Sequence, residues 1–269
     1  LCQWTNSESH WLPMDKYDKG AEPLDLEALR GRECYGGLDL ASSDDIAAFV
    51  LVFPPDDANG HFYVLPHFWI PEQNMARRVR KDHVMYDKWA REGHLHTTEG
   101  HIIHYDFIDT HIEDLADVYH IVAVAHDDWG AIQLAPHLEA GGFTLVRMRQ
   151  GYKTLSPPSK ELMRLVLDEK LIHGGHPVLR WMFDNVYVET DPAGNIKPSK
   201  QKSTEKIDGA VATIMALSRA IVRQKPKRGG IVVYDYDSDT LTRNGEVINQ
   251  PGEFTLPQQT TWADLDDDW

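Results

Sequence analysis

Eight consecutive apolar residues, IAAFVLVF at 46–53, are rich in strand formers and read as a strand. Shorter runs flank them: YGGLDLA at 35–41, with apolar and polar residues interleaved, and HFYVLPHFWI at 61–70. The connections SSDD and PPDDANG are short and rich in turn-forming residues. Three strands joined this tightly predict an antiparallel meander, and the rest of the chain has to be built onto it.

Downstream the periodicity changes. Over 71–91, Met75, Val79, Val84, Met85, Trp89 and Ala90 recur at helical spacing, with Pro71 suited to a first turn, which predicts one helix or two short ones. Residues 93–105 are His-rich and extended, and IDTHIEDLADVYH from 108 reads as a helix leading into the apolar run IVAVAHD at 121–127. That run ends in a carboxylate. WGAIQLAPHLEAGG then reads as a glycine-closed helix and FTLVRM as a strand, so strand, helix and strand form a parallel crossover. The expected fold class is α/β, a mixed sheet in which an antiparallel meander is followed by parallel strands and flanked by helices. Residues 156–169 (SPPSKELMRLVLDE) predict a helix with a Ser-Pro start. LIHGGHP reads as a turn, VLRWMFDNVYVET as helix or strand, and DPAGNIKPSK as a polar loop. The clearest helix covers 203–223, with Ser203 or Thr204 as cap and Ile207, Ala210, Val211, Ile214, Met215, Leu217 and Ile221 on one side. Residues 1–34 are expected to be a connector, 35–228 the domain, and 229–269 an acidic, weakly ordered tail.

With 269 residues, 42% of them hydrophobic, the chain can bury a substantial core. Its 27 Lys+Arg against 42 Asp+Glu leave a net charge of -15, the wrong sign for a surface uniformly adapted to nucleic acid. The charge is uneven, however: residues 1–149 carry -13, 150–228 carry +6, and 229–269 carry -8. The basic segment has its densest lysines at Lys153, Lys160, Lys197, Lys200, Lys202 and Lys206, where a polyanion could be held. Cys2 and Cys34 are too few for a disulfide scaffold, no run of about 18 apolar residues occurs, and the opening LCQWTNSESHW lacks the order of a signal peptide. A cytoplasmic location without membrane contact is therefore expected. The chain begins with Leu, and its opening stretch suggests a fragment whose N-terminal part has been removed.

Three carboxylates stand out by position: Asp39 in the first strand, Asp127 at the end of a parallel strand, and Asp208 in the first turn of the last helix. In an α/β sheet, strand ends and helix starts meet at one edge. Clustered carboxylates repel one another unless a hard cation lies between them, which suits Mg²⁺ or Mn²⁺. Two such ions can activate water and stabilise the leaving oxygen in phosphodiester cleavage. Each Asp taken singly could equally be a cap or turn residue. The fourteen histidines form clusters at His94, His96, His101 and His104 and at His173 and His176, yet none has the H-E-x-x-H arrangement and there is no C-x-x-C, which disfavours zinc. His126 reads as packing or as support beside Asp127. Trp89, Trp129 and Trp181 read as core, and Ser156 and Ser159 lack the G-x-S-x-G elbow of a serine hydrolase.

The runs YGGLDLASSDDIAAFVLVF, VAHDDWGAIQL, RQGYKTLSPPSKEL, HGGHPVLRWMFDNVYVETDPAGNIKPSK and EKIDGAVATIMAL, spread over about 35–222, resemble the C-terminal nuclease domain of the large terminase subunit of tailed bacteriophages. The resemblance implies an RNase H-like fold and a metal-dependent endonuclease that cuts concatemeric viral double-stranded DNA during genome packaging in the host cytoplasm. It carries the metal-ligand and catalytic roles to Asp39 of GLDLA, Asp127 before Trp-Gly, and Asp208 of KIDG, holding two Mg²⁺ or Mn²⁺ ions. The position after Asp127, usually basic in the family, is Asp128 here, so the second ligand lies between these two. Asp45 also falls in a family-like position and reads as a turn or supporting residue. Lys153, Lys197, Lys200, Lys202 and Lys206 are the expected contacts to the DNA backbone. The resemblance further implies a small terminase subunit and a portal protein as partners and an ATPase domain on the N-terminal side. No G-x-x-x-x-G-K-[ST] occurs, so ATP hydrolysis is not expected of this chain. Two other readings compete: another RNase H-like nuclease, such as a resolvase or transposase core, and a packaging-motor interaction module that leaves DNA uncut.

Overall fold

The computed structural model describes residues 11–40, 46–56, 60–127 and 134–222, together with three short strands between 232 and 247. Asp45, Asp128 and Trp129 lie outside the described residues, as do the SSDD turn and the expected start of the helix at 129. The chain divides into two compact units, Leu1–Val222 and Arg223–Trp269.

In the first unit, two single-turn helices, α1 (Met14–Tyr17) and α2 (Leu26–Leu29), precede the sheet. The stretch expected to be a connector is packed: Trp11, Leu12 and Tyr17 are buried in the core, and the Tyr17 ring stacks on His173 at 3.9 Å. The meander follows as β1 (Glu33–Asp39), β2 (Ala47–Phe53) and β3 (Phe62–Pro71), antiparallel throughout, with Gly37 opposite Val50 and Val50 opposite Pro66. Every residue of β2 is buried. Ala48, Val50 and Val52 belong to one core, and Ala47, Phe49, Leu51 and Phe53 to the other, on opposite faces of the sheet. A strand covered on both faces has no solvent side, which is why its sequence is continuously apolar.

The region 71–91 forms two helices, α3 (Glu72–Asp82) and α4 (Tyr86–Arg91), because His83 adopts a left-handed conformation (φ 54°) that ends the first. Then come β4 (His96–Thr98), α5 (Tyr105–Ala116), β5 (His120–His126), α6 (Ala135–Ala140) and β6 (Leu145–Arg147). The strand order is β4-β3-β2-β1-β5-β6, with β1, β5 and β6 mutually parallel, so the expected crossover onto the meander is present. A short β7 (Leu171–Ile172) pairs with the start of β3.

Helix α7 (Tyr152–Leu167) begins four residues before the expected Ser-Pro start. Pro157 and Pro158 therefore lie inside it, past the first turn, where each lacks the N–H that would bond the carbonyl four residues back and its ring crowds that carbonyl. The ambiguous segment resolves into α8 (Pro177–Asp184) followed by β8 (Val188–Thr190). The expected polar loop contains β9 (Ile196–Pro198), which pairs antiparallel with β8 and places Glu189 opposite Lys197. The last helix, α9 (Asp208–Ile221), starts five residues later than its sequence suggests. The Ser203 hydroxyl is not its cap. It accepts from the Tyr187 N–H (3.0 Å) and donates to the Ser199 carbonyl (2.7 Å), holding the preceding loop against the hairpin. All of α9 except Arg219 and Ile221 is buried, against the sheet face that also receives α7 and α8. Trp89 and Trp181 belong to that core, their rings 5.5 Å apart. Helices α5 and α6 contribute Ile108, Ile112 and Leu138 to the core of the opposite face.

In the second unit, expected to be weakly ordered, β10 (Val232–Asp235), β11 (Thr240–Arg243) and β12 (Glu246–Val247) pair as an antiparallel meander. Among the described residues no helix is long and apolar enough to cross a membrane.

Candidate active site

Asp39 is the last residue of β1, and Asp127 follows the last residue of β5. Because Leu38 pairs with His126 on the adjacent parallel strand, the next residue on each strand is one of these two acids. The third acid depends on a glycine. A Cβ on Gly37 would lie 1.9 Å from the carbonyl oxygen of Ala212, so only glycine lets α9 rest directly on β1. Asp208, the first residue of α9 and one turn before Ala212, is thereby brought to the end of β1.

Asp39 and Asp208 are both nearly inaccessible to solvent, at 2% and 3% exposure. Between them lies the ammonium of Lys200, which donates to Asp39 Oδ1 (2.9 Å) and Asp208 Oδ1 (2.8 Å) and approaches Asp39 Oδ2 to 2.8 Å. Burial, opposed by Lys200 and reinforced by the charges of Asp208 and Asp127, pushes the Asp39 carboxyl up to about 7. Burial of the Lys200 ammonium is outweighed by Asp39 and Asp208, which together hold its pKa above the ordinary lysine value. Asp127 thus acts electrostatically on Asp39, although the three acids do not bring their oxygens within 4.8 Å of one another among the described residues. Beside Asp127, the His126 ring pairs through Nδ1 with the Asp127 carbonyl oxygen at 3.0 Å.

The donor set is made of oxygens, it is mostly buried, and its negative charge exceeds the single ammonium that offsets it. These properties fit a hard divalent cation and not a softer metal. A cleft of about 200 Å³ opens next to Asp208, lined by Lys200, Ser203, Thr204, Glu205, Lys206 and Ile207.

The expected DNA-contacting lysines are placed differently from one another. Lys200 is engaged with the acids. Lys197 and Lys202 flank Glu189 at 3.5 and 3.1 Å, with their ammonium groups over the Tyr152 and Tyr187 rings respectively. Lys153 is exposed on α7, and Lys206 lines the cleft. Sequence reasoning missed the partnership of Lys200 with both acids and the role of Gly37. The only signal for either was the presence of the glycine two residues before Asp39 and of a lysine in the loop before Asp208.

A meander continued by parallel strands, with acids at the ends of β1 and β5 and at the start of α9, is the RNase H-like class of α/β fold. Residues 1–224 match the family described as terminase large subunit, endonuclease domain, and the chain belongs to that family. It is 34% identical over 225 residues to the terminase large subunit of Enterobacteria phage HK97, a match covering 83% of this chain and 40% of that one. It is also 29% identical over 234 residues to protein YmfN of Escherichia coli K12, covering 82% and 51% respectively. The crystal structure of the HK97 large terminase superposes with a TM-score of 0.71 at 33% identity, over 78% of this chain and 43% of that one. The chain thus spans about half or less of the length of the relatives it matches.

Proposed function

We propose that this chain is a metal-dependent endonuclease that hydrolyses the phosphodiesters of double-stranded DNA, cutting concatemeric viral genomes during packaging. The observation that carries the reading is the meeting of Asp39, Asp208 and the charge of Asp127 at one edge of the sheet. In this reading Asp39, Asp127 and Asp208 hold two divalent ions, Mg²⁺ or Mn²⁺. When bound, such ions supply an activated water and stabilise charge on the leaving oxygen.

The residues of the chain do the rest. Asp39 and Asp208 are fixed by β1 and α9, so their carboxylates need little rearrangement to act as ligands. Their burial keeps bulk water from screening the charges at the reacting phosphate. Lys200 offsets part of the charge of Asp39 and Asp208 and lines the cleft where a phosphate would enter. Lys153, Lys197, Lys202 and Lys206 hold the DNA backbone, which gives affinity without base readout. A small terminase subunit, a portal protein and an ATPase domain on the N-terminal side complete the proposed machine in the cytoplasm of the infected host.

Cleavage of supercoiled plasmid in Mn²⁺ tests the assignment. Asp39→Ala and Asp208→Ala are each expected to reduce nicking to background, with circular dichroism unchanged. Retained cleavage by either variant would remove that acid from the site. Absence of cleavage by the parent chain would favour the interaction-module reading.

A further inference from the structure

On the sheet face opposite α9, three histidines from separate elements converge. His67 lies on β3, His96 begins the edge strand β4, and His111 lies on α5. Each offers a ring nitrogen, and these nitrogens all lie within 4.8 Å of one another. The His111 Nε2 and His67 Nδ1 atoms are 2.9 Å apart, and the ring centroids of His96 and His111 are 5.1 Å apart. No other set of three His, Cys, Asp or Glu side chains among the described residues is drawn together this closely.

We propose that His67, His96 and His111 form a transition-metal site, with Zn²⁺ as the fitting ion, that clips the edge strand β4 and helix α5 to β3. The donor chemistry is all imidazole, which selects Zn²⁺ and its neighbours and distinguishes the site from the oxygen-only acids on the other face. Ligand nitrogens around a tetrahedral zinc stand about 3.3 Å apart, given bonds of about 2.0–2.1 Å. The present 2.9 Å pair and 4.8 Å limit bracket that spacing, so small side-chain rotations close the site.

In the alternative, neutral imidazoles share a hydrogen bond between His111 Nε2 and His67 Nδ1, and the buried Nε2 of His67 stands outside it. Burial also keeps all three imidazoles below the ordinary histidine range, leaving lone pairs available at neutral pH. His96 is solvent-exposed, which gives an ion a way in and leaves a fourth position for water. Trp69 closes the inner side: its ring lies 5.6 Å from His96 and 5.4 Å from His111. Asp114, one turn along α5, favours positive charge at His111.

Co²⁺ added to the untagged full chain provides the test, because a four-coordinate nitrogen-rich site gives intense visible bands and an octahedral oxygen site gives faint ones. The expected result is one equivalent of intense absorption, displaced by Zn²⁺, retained in Asp39→Asn and lost in His96→Gln and His111→Gln. Saturating Zn²⁺, at about 100 times its dissociation constant, should raise the parent melting temperature by roughly 5–10 °C and leave the His111→Gln melting temperature unmoved. Circular dichroism of the variants separates loss of the site from loss of the fold. The proposal is overturned if the parent chain gives no intense band, if the band survives both histidine substitutions, or if Asp39→Asn abolishes it.

Discussion

Lys200 compensates two buried carboxylates with one ammonium, and this arrangement makes it a competitor of any cation for Asp39 and Asp208. Its stem is partly solvated, with 42% of the side chain exposed, so solvent screening reduces what the ion pair contributes. Replacing it by methionine removes the competitor and leaves the acids facing each other. Lys200→Met should lower metal-free stability by about 1–3 kcal/mol in urea denaturation, less than a fully buried pair would lose. It should also tighten Mn²⁺ binding measured by calorimetry. An unchanged Mn²⁺ affinity would mean that Lys200 does not share the ions' place. Asp39 shows how residue chemistry depends on neighbours. Within GLDLA it is one aspartate in a strand, and only burial together with Asp208 and Asp127 lifts its carboxyl to about 7.

Helix α8 carries a pH dependence of its own. His176 caps it, with Nδ1 accepting from the Leu179 N–H at 3.5 Å, and its ring packs near Phe68 and His94. Burial, helped by the neighbouring histidines His94, His173 and His96, lowers its pKa to about 3. The unfolded chain therefore takes up a proton at His176 below about pH 6.5 while the folded chain does not. Its contribution to stability is complete above that pH and declines as pH falls toward 3. At pH 5 the loss from this residue is on the order of 1–2 kcal/mol. His176→Asn keeps a capping acceptor without a titrating ring. In chelator-treated protein, its melting temperature should fall less than that of the parent between pH 7 and pH 5. Equal falls would contradict the linkage. Elsewhere among the elements, periodicity located most strands and helices and misplaced their ends. The start of α9 is hidden because Ser203, a good cap by type, is engaged by the Tyr187 N–H and the Ser199 carbonyl. The β8–β9 hairpin is hidden because its two strands are only three residues long, too short to display an alternating pattern.

For the whole molecule, the net charge of -15 averages over regions with different neighbours. The proposed DNA surface lies in the +6 segment, where Lys202 and Lys153 stand on the loop between β9 and α9 and on α7. If each meets one phosphate, Lys153→Ala and Lys202→Ala should each flatten the slope of log K against log salt by roughly 0.9 in DNA-binding titrations. A slope unchanged in both would move the DNA elsewhere. The meander, the parallel crossover, the family resemblance and the three candidate acids were all legible in the sequence. Apolar period and short motifs are local properties, and they survive without knowledge of what packs on them. Tertiary structure decided the rest. Gly37 serves the site only because Ala212 lies against it, Lys200 reaches Asp39 across a separation of 161 residues, and His67, His96 and His111 meet only when β3, β4 and α5 are assembled. Spacing along a chain cannot encode such meetings, because the distance between two side chains is set by packing between elements and not by the number of residues separating them.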